Sequence, residues 1–167
     1  MVIVRLGKAV LGGAVALYAS LVALGNITDY GSNFAFVEHV LSMDTVFAEA
    51  TIVSRAIAAP ALHHLFYGLI IAGESLTALL CWAGSLALLI RLRAPAARFN
   101  RAKSWAMAGL ILGFLVWQVG FMAVGGEWFG MWMSSSWNGL QSAFRVFITI
   151  LGVMIFLNQP DGELDPA

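Results

Sequence analysis

Four long apolar stretches hold only two charged residues between them, and that constrains the fold more than any motif does. They run over residues 10–25, 62–90, 105–124 and 140–157, and the two charges are Glu74 in the second and Arg145 in the fourth. A helix needs about 20 mostly apolar residues to cross roughly 30 Å of hydrocarbon. In that medium a backbone must satisfy its own hydrogen bonds, so each stretch is expected to be helical. Composition agrees: 60% of the 167 residues are hydrophobic and 11% are charged, against roughly 45–50% and about 25% in soluble domains. So few charges do not cover a water-exposed surface. Lys+Arg 9 balances Asp+Glu 9, which leaves no basic excess for nucleic acid. The expected fold is all-α, a four-helix transmembrane bundle forming one domain over 1–167, with the lipid bilayer as its first partner and no nucleic-acid partner.

The first stretch follows Arg5 and Lys8 and has some features of a signal peptide. No convincing A-x-A cleavage site closes it. Its Gly12, Ala16 and Ser20 form a small-residue row suited to close helix packing. An uncleaved span is therefore expected. The 91–104 loop carries Arg91, Arg93, Arg98, Arg101 and Lys103 without an acid, whereas 26–61 carries four acids against Arg55. The positive-inside rule then predicts N-in/C-in, with 26–61 and 125–139 as outer loops and 91–104 as the cytoplasmic loop. Asp161, Glu163 and Asp165, with Pro160, Gly162 and Pro166, read as a short frayed tail. Cys81 stands alone, so no intramolecular disulfide, c-type haem motif or cysteine zinc site is available. It reads as a small buried apolar residue.

The outer loops are more than linkers. Phe34, Val37, Val40 and Leu41 fall on one helical face. After Asp44, a candidate N-cap, Phe47, Ala48, Thr51, Ile52 and Arg55 recur at helical spacing. One or two short amphipathic helices are expected there, on the outer surface or folded over the bundle mouth. In the second outer loop Trp128, Trp132 and Trp137 suit either an aromatic belt or a lid over an apolar ligand such as a quinone ring.

The intramembrane polar groups cluster in the outer half. His63, Tyr67 and Glu74 share one helical stripe, and so do Asn138, Gln141, Arg145 and Thr149, while Gln118 lies near the end of the third span. Pairing of Glu74 with Arg145 is the natural expectation, since each is costly alone. Such a pair would fix helix register, or would line a polar cavity able to hold a headgroup, an ion or a proton. His39, His63 and His64 are candidate ligands for a surface zinc or copper, although their spacing matches no metal motif. Histidines on facing spans, as a bis-histidine haem needs, are absent. There is no nucleophile elbow, Walker loop or dinucleotide fingerprint. Gly109 and Gly113 form a G-x-x-x-G packing motif.

Several ordered blocks together resemble one family. They are His39-Val-Leu-Ser-Met-Asp-Thr45, Arg55-Ala-Ile, Pro60 with His63-His64, Glu74, Glu127-Trp-Phe, Trp137-Asn-Gly and Ala143-Phe-Arg145. The chain resembles the bacterial predicted small integral membrane proteins grouped as domain of unknown function 2165. That resemblance implies a multi-pass protein of the bacterial inner membrane with four spans, and it implies no activity. The functional expectation is a non-enzymatic binding or accessory subunit. It would act in a larger membrane complex or homo-oligomer, with a polar cavity for an amphipathic or quinone-like ligand. Ligand-binding candidates are Glu74, Arg145, Gln118, Gln141, Asn138, His63, Tyr67, Trp128 and Trp132. A quinone- or metal-linked redox subunit and a small proton-coupled transporter are the alternatives. No catalytic residue and no cofactor is assigned.

Overall fold

The computed structural model describes residues 1–164. Among these, four helical stretches are long and apolar enough to cross a membrane: Val2–Thr28, Pro60–Ile90, Ala96–Trp128 and Leu140–Asn158. In chain order the elements are α1 (Val2–Thr28), α2 (Tyr30–Ser42), a 3-10 turn (Thr51–Arg55), α3 (Pro60–Ile90), α4 (Ala96–Ala102), α5 (Ser104–Phe114) and α6 (Leu140–Asn158). The protein is all-helical, as expected from its apolar runs.

The differences from expectation have local causes. Pro60 opens α3 at a position where its missing N–H is no loss. α5 does not stop at Val124. It continues as a π-helix over Leu115–Trp128, and the Phe129 N–H reaches the Val124 carbonyl five residues back at 3.0 Å. The connection between the last two spans is therefore shorter than 125–139. The basic 91–104 segment is likewise no plain loop, because α4 occupies its centre.

Small residues set the helix spacing. α1 lies along α3 through buried Ala9, Ala16 and Ala19. The Ser85 hydroxyl donates to the Ala9 carbonyl at 2.5 Å, and the Trp82 indole N–H donates to Ser20 Oγ at 3.1 Å. Along the α3–α5 seam Gly84 meets the backbone of Ala106, Gly109 meets Cys81, and Gly113 meets Thr77 and Ile150. The G-x-x-x-G motif is thus a packing surface, and Cys81 is fully buried against it.

The basic end is closed by a buried polar latch. Arg5 donates to the carbonyls of Leu92 (3.1 Å), Ala94 (2.6 Å) and Gly162 (2.7 Å), with its guanidinium over the Phe99 ring. Asp161 sits between Lys8 at 2.6 Å and Lys103 at 2.5 Å. Both lysines also donate to the Gln159 carbonyl, at 2.6 Å each. Burial alone would raise the Asp161 carboxyl, but the two ammoniums outweigh it and hold the group below the ordinary carboxylate range. Asn100 and Asp161 exchange two further bonds, and Glu163 accepts from the Ala96 N–H at 3.0 Å. The tail expected to fray is docked through Glu163, because its acids and carbonyls have buried cations to satisfy. Asp165 and Pro166 lie outside the described residues.

At the opposite end the chain breaks at Asp29 and reverses into α2, which folds back onto α3. Val37 and Leu41 are buried against Tyr67 and Phe129, while Phe34 and Val40 are partly buried beside them. The expected apolar face of this helix is present. α2 ends at Met43, a buried non-glycine residue with φ of 52°, held in a sparsely populated conformation by its surroundings. The second expected helix is only the turn Thr51–Arg55. Asp44 caps nothing there, because its carboxylate is taken by His39 Nδ1 at 2.7 Å.

Candidate functional site

Where α1 ends, α2 reverses, α3 passes and α6 begins, the helices surround a chamber of about 350 Å³. Its polar wall is built on α1 and α3. Asn26, in the last turn of α1, donates from Nδ2 to Glu74 Oε2 at 2.8 Å, and the Tyr67 hydroxyl donates to the Asn26 carbonyl at 3.0 Å. Glu74 is 1% exposed and Tyr67 2%. Asn33 of α2 contributes to the wall while its own amide donates to the Asp29 carbonyl at 3.0 Å, which steadies the chain reversal. Asn138 and Ser142 line the far side. The lining holds one carboxylate and no Lys, Arg or His. Chemically, it is a hydrogen-bonding chamber suited to a group that donates.

An apolar cleft of about 300 Å³ adjoins it. The two share Phe36, Val37, Ile70 and Phe121 as a dividing wall. On the cleft side the lining is Leu69, Val116, Gly120, Val124 and neighbouring apolar groups. Gly120 contributes width, since a Cβ there would meet nothing within 4 Å.

The sequence-predicted residues divide. His63, Tyr67 and Glu74 all lie on the buried face of α3, as their spacing required. Asn138 lines the chamber. The Glu74–Arg145 pair does not form. Glu74 bonds Asn26, and Arg145 enters no ion pair among the described residues. The buried face of α6 is Ala143, Ile150, Val153 and Leu157, so Gln141 and Arg145 turn outward beside Met122 and Phe144. Arg145 is only five residues past the start of α6, so roughly 8 Å deep. From that depth a side chain as long as arginine's can reach a membrane interface without a partner in the bundle. Gln118, on the π-helix, is outside the chamber lining, and its Oε1 is buried without a hydrogen-bond partner.

The three histidines go to separate duties. His63 Nε2 donates to the Ile57 carbonyl at 2.6 Å, which pins the connector before α3 and leaves Nδ1 buried and unpaired. His64 stacks on Phe34 with ring centroids 4.1 Å apart, and its Nδ1 meets the Tyr30 hydroxyl at 2.8 Å. His39 stacks on Trp137 and pairs with Asp44. Among the described residues no three His, Cys, Asp or Glu side chains converge as a metal site would need. His39 with His63 or His64 and a carboxylate, the set expected for a surface metal, is not gathered in one place here. Trp128 and Trp132 line neither cavity. Trp128 lies under the Arg55 guanidinium at 4.7 Å, and Trp132 meets Phe47 edge-on. The residues of the Trp-rich segment that do line the cleft are Gly125, Phe129 and Met131. Sequence reasoning missed Asn26, Asn33 and Ser142. Only Asn26 carried a signal, as a polar residue directly past the first apolar stretch.

The fold and this site define a small integral membrane protein with four candidate spans. Residues 4–160 match the family described as predicted small integral membrane protein, domain of unknown function 2165, and the chain belongs to it. No curated protein and no solved structure matches the chain.

Proposed function

We propose that this protein is a non-enzymatic membrane subunit that binds an amphipathic ligand. A hydrogen-bond-donating headgroup, an amine or a hydroxyl, would occupy the Glu74 chamber, and an apolar ring or chain would occupy the adjoining cleft. The observation that carries the reading is the adjacency of the two spaces across Phe36, Val37, Ile70 and Phe121. Pockets for small molecules are mostly apolar with a few placed polar groups, and an intramembrane ionisable residue is by default a functional candidate. The Lys and Arg distribution supports placing the basic end in the cytoplasm of a bacterial inner membrane, with the chamber toward the outer face. Little of the chain projects beyond its helices, which supports work inside a larger assembly or as a homo-oligomer. The redox and transport alternatives find less support. His63 and His64 are bonded elsewhere, and between the chamber and the basic latch lies a packed apolar core including Leu88, Leu110 and Leu157.

The test is native mass spectrometry of protein extracted gently from its own membranes. Wild type is expected to carry a lipid-like mass. Glu74→Gln removes the charge and is expected to lower occupancy about tenfold, the effect of losing one charge-assisted hydrogen bond. Gly120→Leu fills the cleft at a position with free space and is expected to remove the adduct while leaving the fold intact. Bare wild-type protein, or an adduct unchanged in both variants, would overturn the reading.

A further inference from the structure

We propose that the basic end carries a docking site for one anionic phospholipid headgroup, formed by Arg91, Arg98 and Arg101 around Trp105. These residues, with Ala102, line an open recess of about 400 Å³ remote from the Glu74 chamber. Arg91 caps α3, Arg98 and Arg101 project from α4, and Trp105 stands in the first turn of α5. Two separate elements thus bring three guanidiniums to one recess, and a third adds the indole.

The cations at this end fall into two groups. Arg5, Lys8 and Lys103 are buried and committed to carbonyls, Asn100 and Asp161. The recess arginines are exposed, and no acid pairs with them among the described residues. Among the described residues, Arg91 makes one bond, to the Ala87 carbonyl of its own helix at 3.2 Å, and the Arg98 and Arg101 side chains make none. Among the described residues, Asp161 pairs with the two lysines and Glu163 accepts from the Ala96 N–H, so neither bonds a recess arginine. Three guanidiniums without an ion-pair partner among the described residues thus share one recess, in a fork geometry suited to phosphate oxygens.

The surroundings favour a lipid over a soluble phosphate. Ile90 is 80% exposed and Trp105 57% exposed, and both adjoin the arginines in sequence or in space. Tryptophan sits naturally at headgroup level, with acyl chains free to lie along apolar residues such as Ile90. Basic pockets between helices are recognised sites for anionic headgroups. A zwitterionic lipid would bring its own cation against three guanidiniums.

The test measures lipid retention by native mass spectrometry, with purified protein titrated with phosphatidylglycerol or phosphatidylcholine. Wild type is expected to retain one phosphatidylglycerol and to discriminate against phosphatidylcholine. At about fivefold per arginine near a membrane surface, Arg98→Gln/Arg101→Gln should weaken retention roughly 25-fold. Arg93→Gln, in the same segment but outside the recess, should change it less than twofold. Equal retention of the two lipids, no loss in the double variant, or an equal loss in Arg93→Gln would each overturn the site. Displacement of the lipid by millimolar inorganic phosphate would show a soluble-anion site and overturn the lipid assignment. The recess arginines are exposed, so the variants are expected to fold, and unchanged retention of any ligand in the Glu74 chamber checks this independently.

Discussion

Asp161→Asn is expected to destabilise the protein by roughly 3–5 kcal/mol, the scale for removing one partner of a buried charge cluster. Among the described residues the Asp161 carboxylate is the one acid in contact with both Lys8 and Lys103, and all three side chains are nearly inaccessible. Its loss leaves two ammoniums facing each other with only neutral acceptors, the Gln159 carbonyl and Asn100 Oδ1. The same group predicts a pH dependence. Its carboxyl is held below the ordinary range in the folded protein, so its contribution is complete above the unfolded value of about 3.9. The contribution is lost as pH falls through the lower folded value. Thermal unfolding in mild detergent should therefore show little pH dependence from this site between pH 5 and 8, and a loss below about 4. That acid-limb loss should be smaller in Asp161→Asn. Adding Lys103→Met should recover part of the stability, since neutralising both partners is less costly than removing one. A loss under about 1 kcal/mol in the single variant would mean that the latch is not an energetic unit.

The latch also shows what a sequence conceals. Lys8, Arg5 and Lys103 were legible as topogenic charges, because counting Lys and Arg needs no partners. Their burial was not legible, because most of their acceptors are the backbone carbonyls of Leu92, Ala94, Gln159 and Gly162. Carbonyls carry no residue signature. The four apolar runs were readable for the opposite reason, since length and hydropathy are properties of one segment alone.

The candidate site divides along the same line. His63, Tyr67 and Glu74 share a helix, so their common face followed from periodicity. The Glu74–Arg145 expectation needed the relative rotation of two helices. It assumed that the polar stripe of α6 faces inward. The inward face is instead the small and branched set Ala143, Ile150 and Val153, which packs closely. Near a helix end an arginine can snorkel, so polarity stops reporting the interior there. Asn26 was the partner Glu74 found because the last turn of α1 passes beside the middle of α3, a fact of packing that no spacing encodes.

Packing also supplies the second large effect: Gly84→Val is expected to prevent assembly of the folded bundle while leaving its spans inserted. A Cβ at Gly84 would overlap the backbone nitrogen and Cα of Ala106. A rotamer change cannot relieve a clash with backbone, so α3 and α5 would have to separate. Overpacking a core typically costs about 1–3 kcal/mol when side chains can shift. Here the separation would propagate. At Gly109 a Cβ would lie 2.8 Å from the Cys81 nitrogen, and at Gly113 3.0 Å from Thr77, so the seam is matched at three successive levels. Helix association in lipid depends on such close packing, because apolar burial gives little driving force between spans. The variant should therefore reach the membrane fraction, resist carbonate extraction, and yet melt far below wild type or aggregate on solubilisation. Gly152→Val is the matched control, since that α6 position is exposed and a Cβ there meets nothing within 4 Å. If Gly84→Val purified as a monodisperse species with the thermal stability of Gly152→Val, the α3–α5 seam would not be the contact that sets the helix spacing.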